Sequence, residues 1–270
     1  MKKRRLNWTS LLFPLSALCF IVLSFGFFLS TQELFKTTDQ PKSSGNVQDQ
    51  GSKLQDSDLF MLGLGDSLTR GIGDKTGDGY FDQVKKTLQA EKKGTLSSVN
   101  LAISGQTSSE LVKQMKQEKV QSLIKKADWI TITIGGNDLF RGSGRLESID
   151  LKSANQSKIQ YEKNLHMILD TITSLNHDAV VYVFGLYNPF SDLADEKTSS
   201  ALVAEWNLAI QQRAADYDRV VMVPTFDLFQ LQPNAYLYSD HFHPNQAGYT
   251  RMANRLIPLL QDHPGEDTSK

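Results

Sequence analysis

Serine alone is a weak nucleophile. It needs a base to take its proton and a carboxylate to hold that base. The chain carries such a set far apart in sequence: Ser67 in GDSLT, and Asp240 and His243 in DHFHP. A separation of three residues on a tight turn lets Asp240 accept a hydrogen bond from one ring nitrogen of His243 and leaves the other for Ser67. Acyl transfer also needs donors aimed at the oxyanion that develops. The candidates are the Ser67 N–H, the Gly105 N–H in ISGQTS and the Asn137 side-chain amide in GGND. Glycine at 105 allows close backbone approach. Activity is expected to need the neutral His243 ring and to fall on acidification. Plainer readings stand beside these. Ser67 also fits a helix cap, and Asn137 and Asp138 fit turn positions after a strand. For Asp138 the structural reading is preferred. His241, one residue after Asp240, is a rival base, and Asp66 is read as ordering the turn by hydrogen bonding.

These residues need elements to bring them together. Apolar runs at 59–65, 98–103, 128–135, 179–185 and 219–224 are short and apolar at most positions, as strands buried on both faces are. The stretches between them have helical spacing. Thr107 and Glu110 form a capping-box signature. Leu165, Ile168, Leu169, Ile172 and Leu175 form an apolar stripe, as do Leu202, Trp206, Ala209 and Ile210, and then Tyr249, Met252, Ala253, Leu256 and Leu260. All of these are read as core. The alternation predicts an α/β fold, a three-layer α/β/α sandwich with about five parallel strands and right-handed crossovers. Ligands of such sheets bind beyond the carboxyl ends of the strands. Ser67, Gly105 and Asn137 follow the first three runs, and Asp240 and His243 precede the last helix, so one crevice can gather them. Segments 139–156 and 185–200 read as long loops at that edge. Their Phe140, Leu186, Tyr187 and Phe190 are candidates for an acyl site, or else rings that only pin the loops.

Composition narrows the partners. A formal net charge of −1 gives no basic excess for nucleic acid. The single cysteine, Cys19, can form no internal disulfide, and paired-cysteine metal patterns are missing. Gly63-Leu64-Gly65 begins like a dinucleotide fingerprint, but Leu68 stands where the third glycine belongs. Asp74, Thr76, Asp78 and Gly79 hint at a calcium loop, but Lys85 stands where a bidentate glutamate is needed. No cofactor or metal is expected.

The ends of the chain read differently. Lys2, Lys3, Arg4 and Arg5 precede an apolar run from Leu11 to Leu29, which as a helix spans about 28 Å, close to a bilayer core. Residues 1–30 are therefore read as basic cytoplasmic residues and a signal anchor, with the rest of the chain outside the cell membrane. A cleaved signal peptide with a secreted domain is the rival reading. Residues 31–56 are polar and aperiodic, a flexible linker. Residues 57–262 form the domain, and 263–270 a frayed tail.

GDSLT, the glycine of ISGQT, GGND and DxxHP, in this order, resemble the four blocks of the SGNH, or GDSL-type, lipase and acylhydrolase family. The resemblance covers most of the chain after about Asp58. In organisation the chain resembles membrane-anchored members of Gram-positive bacteria. The resemblance implies a flavodoxin-like sheet and hydrolysis of carboxylic esters without a metal. It also implies Ser67 as nucleophile, His243 as base, Asp240 as its partner, and Ser67, Gly105 and Asn137 as oxyanion hole. The position after the membrane run points to lipids, lysolipids or acylated envelope polymers as substrates. A non-catalytic envelope-associated binding module on the same fold is the alternative; a phosphate- or flavin-binding protein of flavodoxin type is a third.

Overall fold

Five strands form, four of them within the expected apolar runs: β1 Leu59–Gly65, β2 Leu96–Asn100, β3 Trp129–Thr133, β4 Val180–Phe184 and β5 Val220–Val223. The structure, a computed structural model, describes residues 59–91, 96–144, 150–189 and 196–262. The expected anchor (1–30), linker (31–56) and tail (263–270) lie outside the described residues. Among the described residues, no helix is long and apolar enough to cross a membrane.

The strands form one parallel sheet in the order β2-β1-β3-β4-β5. Between and after them come α1 Ser67–Arg70, α2 Gly79–Glu91, α3 Ser108–Gln114, α4 Glu118–Ile124, α5 Gly136–Gly142, α6 Leu151–Leu175 and α7 Glu196–Ala214. The chain then runs through α8 Phe226–Gln230, α9 Pro233–Tyr236 and α10 Gln246–Asp262. This is the expected α/β/α sandwich.

Side chains of a strand alternate between faces, and β1 splits accordingly. Phe60, Leu62 and Leu64 join a core with Leu111, Ile124, Leu165, Ile168 and Trp206 from α3, α4, α6 and α7. Met61 faces the other way, into a core with Phe81, Val84, Met252 and Leu256 from α2 and α10. Burying each such side chain contributes about 1.5–3 kcal/mol. The three expected stripes all lie on helices of these two layers.

The second strand departs from expectation. It runs over Leu96–Asn100 rather than 98–103. It is an edge strand whose Ser97, Ser98, Val99 and Asn100 are only half-buried, so an apolar run does not mark it. The Leu101 and Ile103 N–H groups still donate to Gly63 and Gly65 of β1, both at 2.8 Å. The loop carrying Gly105 therefore stays at the carboxyl end of β1.

Candidate active site

β1 ends on Gly65, with φ +107°. A Cβ there would lie 2.0 Å from the Thr133 carbonyl oxygen, so only glycine allows the sharp turn out of the sheet. The Asp66 N–H donates to Thr133 O at 2.9 Å. Asp66, not Ser67, is the N-cap of α1: its Oδ1 accepts from the Leu68 N–H at 3.0 Å and from the Thr133 hydroxyl at 2.7 Å. Ser67 takes the first helical position, and its N–H donates to no acceptor among the described residues. Behind the turn, the Thr69 hydroxyl lies 2.8 Å from Thr133 Oγ1 and 2.7 Å from Tyr80 Oη, a buried polar network. Burial pushes the Asp66 carboxyl up to about 7, against the opposing hydrogen bonds from Thr133 and Leu68.

The second arm comes from the loop before α10. An antiparallel bridge between Leu237 and Pro244 closes it, and the Tyr238 N–H donates to His243 O at 2.7 Å. Asp240 Oδ1 accepts from the backbone N–H groups of Phe242 at 3.0 Å and His243 at 2.9 Å. Its Oδ2 lies 2.6 Å from His243 Nδ1. His243 Nε2 lies 2.9 Å from Ser67 Oγ. A carboxylate only accepts, so Nδ1 carries the proton of a neutral ring and Nε2 is left to accept from the serine hydroxyl. Burial alone would raise the Asp240 carboxyl, but hydrogen bonds from the His243 ring and from the His243 and Phe242 backbone outweigh it and hold it below its ordinary value. His241 sits in the same turn with φ +54° and is exposed; it is His243 that reaches Ser67. The Tyr187 hydroxyl donates to Phe242 O at 2.6 Å, pinning this loop to the end of β4.

The third arm holds the other two oxyanion candidates. Gly105 has φ +76°, and its N–H donates to no acceptor among the described residues. The nearest atom to a Cβ there would be Arg141 Nη2, 3.5 Å away. The backbone conformation, rather than lack of space, calls for glycine. The Gly105 carbonyl accepts from Arg141 Nη2 at 2.7 Å. Asn137 donates one amide proton to Gln106 O at 3.0 Å and keeps a second. The Asp138 carboxylate accepts from the Ser108 N–H at 2.9 Å and from the Ser108 hydroxyl at 2.6 Å, which ties the start of α5 to the start of α3. Burial raises the Asp138 carboxyl and these bonds oppose the rise. Asp138 stands in the first turn of α5 rather than in a turn after the strand, and its carboxylate links two helix starts.

Ser67 and Asn137 open on an apolar pocket of about 80 Å³. Of the expected acyl-site residues, Phe140, Leu186 and Tyr187 line it; Phe190 lies outside the described residues. Gly105 lines a separate depression with Arg141, Glu110 and Lys113. Leu139, Leu202, Val203 and Phe242 also line the apolar pocket and were not singled out for it. Leu202 belongs to a helical stripe, whose period is the same whether it faces a core or a pocket. The Phe140 and Phe242 rings stand 5.4 Å apart. Among the described residues, no group of three or more His, Cys, Asp or Glu side chains is placed to hold a metal ion.

The chain is similar to known proteins over most of its length. The GDSL-like Lipase/Acylhydrolase family matches residues 64–251. The uncharacterized protein YpmR of Bacillus subtilis (strain 168) is 30% identical over 230 residues, 83% of this chain and 90% of that protein. The spore germination lipase LipC of Bacillus licheniformis is 28% identical over 206 residues, 73% of this chain and 94% of that one. The crystal structure of the lipase Lip_vut3 from a goat rumen metagenome shares the fold, with a TM-score of 0.66 and 24% identity over 77% of this chain and 99% of that one. The chain thus belongs to the GDSL-like lipase/acylhydrolase family and is a carboxylic ester hydrolase.

Proposed function

We propose that the chain hydrolyses esters through an acyl-enzyme on Ser67, with His243 as general base and Asp240 as the carboxylate that orients it. The observation that carries this reading is the relay of 2.9 Å from Ser67 Oγ to His243 Nε2 and 2.6 Å from His243 Nδ1 to Asp240 Oδ2. Ser67 Oγ attacks the carbonyl carbon while its proton passes to His243 Nε2. The ring becomes an imidazolium beside the Asp240 carboxylate. The carbonyl oxygen turns negative and takes hydrogen bonds from the Ser67 and Gly105 N–H groups and the remaining Asn137 amide proton. Collapse breaks the ester C–O bond, and the leaving alcohol takes the proton from His243. Water, deprotonated by the same ring, then attacks the acyl-serine and releases the acid.

The substrates proposed are lipids, lysolipids or O-acylated envelope polymers, reached from a membrane anchor formed by residues 1–30 with the domain outside the cell. The apolar lining of the pocket at Ser67 supports an acyl group there, and the basic and apolar order of the first thirty residues supports the anchor. Turnover of p-nitrophenyl acetate and butyrate by the full chain tests the catalytic reading. Ser67→Ala is expected to lower kcat by about 10³-fold or more with its fold intact. An alanine variant that turns over at the wild-type rate would overturn it.

A further inference from the structure

The pocket that opens on Ser67 is small. Its volume of about 80 Å³ is roughly half that of an apolar cavity that admits benzene. That leaves room for an acyl group of about two to four carbons. One helix, α7, forms part of its wall. Along α7, Ser199, Leu202 and Val203 face this pocket. Thr198, Ala201, Leu202 and Glu205 face a second, larger depression of about 600 Å³, whose other lining includes Leu151, Asn155 and Lys158 of α6. The two sets are neighbouring stripes of one helix, three and four residues apart. Leu202 is the one side chain among the described residues that lines both. It is 9% exposed. On its far side, Lys158 Nζ bridges to Glu205 Oε2 at 3.0 Å across α6 and α7, and Leu151 stands 57% exposed at the groove.

We propose that Leu202 is the end wall of the acyl site and restricts this enzyme to short acyl groups. The proposal rests on the acyl-enzyme reading above, and it narrows the substrate class to short-chain O-acyl esters rather than long-chain lipids. The acyl chain belongs in this pocket because its lining is apolar. The depression on the Gly105 side, with Arg141, Glu110, Lys113 and Gln117, offers polar groups to the alcohol part. A longer chain would have to displace Leu202 before reaching the outer groove. Leucine to alanine removes that obstruction and joins pocket to groove.

The test is kcat/KM of the full chain on p-nitrophenyl acetate, butyrate, octanoate and laurate, with variants at the wall and beyond it. Wild type is expected to fall about tenfold or more from butyrate to octanoate. Leu202→Ala is expected to raise the octanoate-to-butyrate ratio by about tenfold. Leu202→Phe is expected to shift preference from butyrate to acetate, and it decides the matter if the alanine variant does not fold. Ala201→Trp, which fills only the outer groove, should leave short-ester turnover unchanged but cancel the octanoate gain when combined with Leu202→Ala. Wild-type turnover of laurate equal to butyrate, or wall variants that are active with an unchanged chain-length profile, would overturn the proposal while leaving the catalytic reading intact. Inactivity of wild type on every ester, acetate included, would count against the catalytic reading and the proposal with it.

Discussion

Asp66 and Ser67 are adjacent, yet they sit in opposite circumstances. Ser67 keeps an unspent N–H and a hydroxyl facing His243. Asp66 is 3% exposed and commits its Oδ1 to Leu68 and Thr133. Its carboxyl stands at about 7 in the folded chain against an ordinary 3.8. The sign of the effect follows. Between those values the unfolded chain has lost this proton and the folded chain still holds it, so stability falls as pH rises from about 4 to about 7 and levels off above. At 1.36 kcal/mol per unit, the difference reaches about 4 kcal/mol. Asp66→Asn keeps an oxygen for Leu68 and Thr133 and removes the slope. The variant is therefore expected to gain on wild type in urea-midpoint stability as pH rises from 4 to 7. A gap that stays constant with pH would contradict the account. That Ser67, Asp240 and His243 come together was legible in the sequence, because GDSLT follows the first apolar run and DHFHP precedes the last helix. The partner of Asp66 was not: Thr133 lies 67 residues away, and nothing local marks a hydrogen bond between two strand ends.

At the scale of elements, the central strands read clearly because both faces of the sheet are covered. β1, β3 and β4 are buried almost throughout and were placed to within one or two residues. β2 was misplaced because an edge strand need not be apolar on both faces. The link that sets the oxyanion candidates against each other was hidden as well. Asp138 on α5 holds Ser108 at the head of α3, and Asn164 of α6 donates to the same Ser108 hydroxyl at 2.8 Å. These three helices thereby fix the loop bearing Gly105 relative to Asn137. Asp138→Ala is expected to lower kcat by about tenfold or more, through loss of this alignment, with a smaller change in KM. Asp138→Asn, which retains one acceptor oxygen, should recover part of kcat. Equal kcat in wild type and the alanine variant would show that the tie does not matter to the site.

On the scale of the whole molecule, the described domain is a sheet with its candidate site at the carboxyl ends of β1 and β3 and in the loop before α10. That arrangement follows from topology: in an open parallel sheet, strand ends and the following helix starts converge on the same side. The proposed anchor would tether the domain to the membrane. Cell fractionation checks it: the full chain should sediment with membranes, and a chain lacking residues 1–30 should not. Full-length protein that leaves the membrane fraction without detergent would contradict the anchor. The central claim is that Ser67 is the residue acylated in turnover. The most direct measurement is the intact and peptide mass of the full chain after reaction with a fluorophosphonate. The account predicts one adduct, on the peptide carrying Ser67, lost in Ser67→Ala. A folded wild type that takes no adduct, or takes it at another residue, would contradict it.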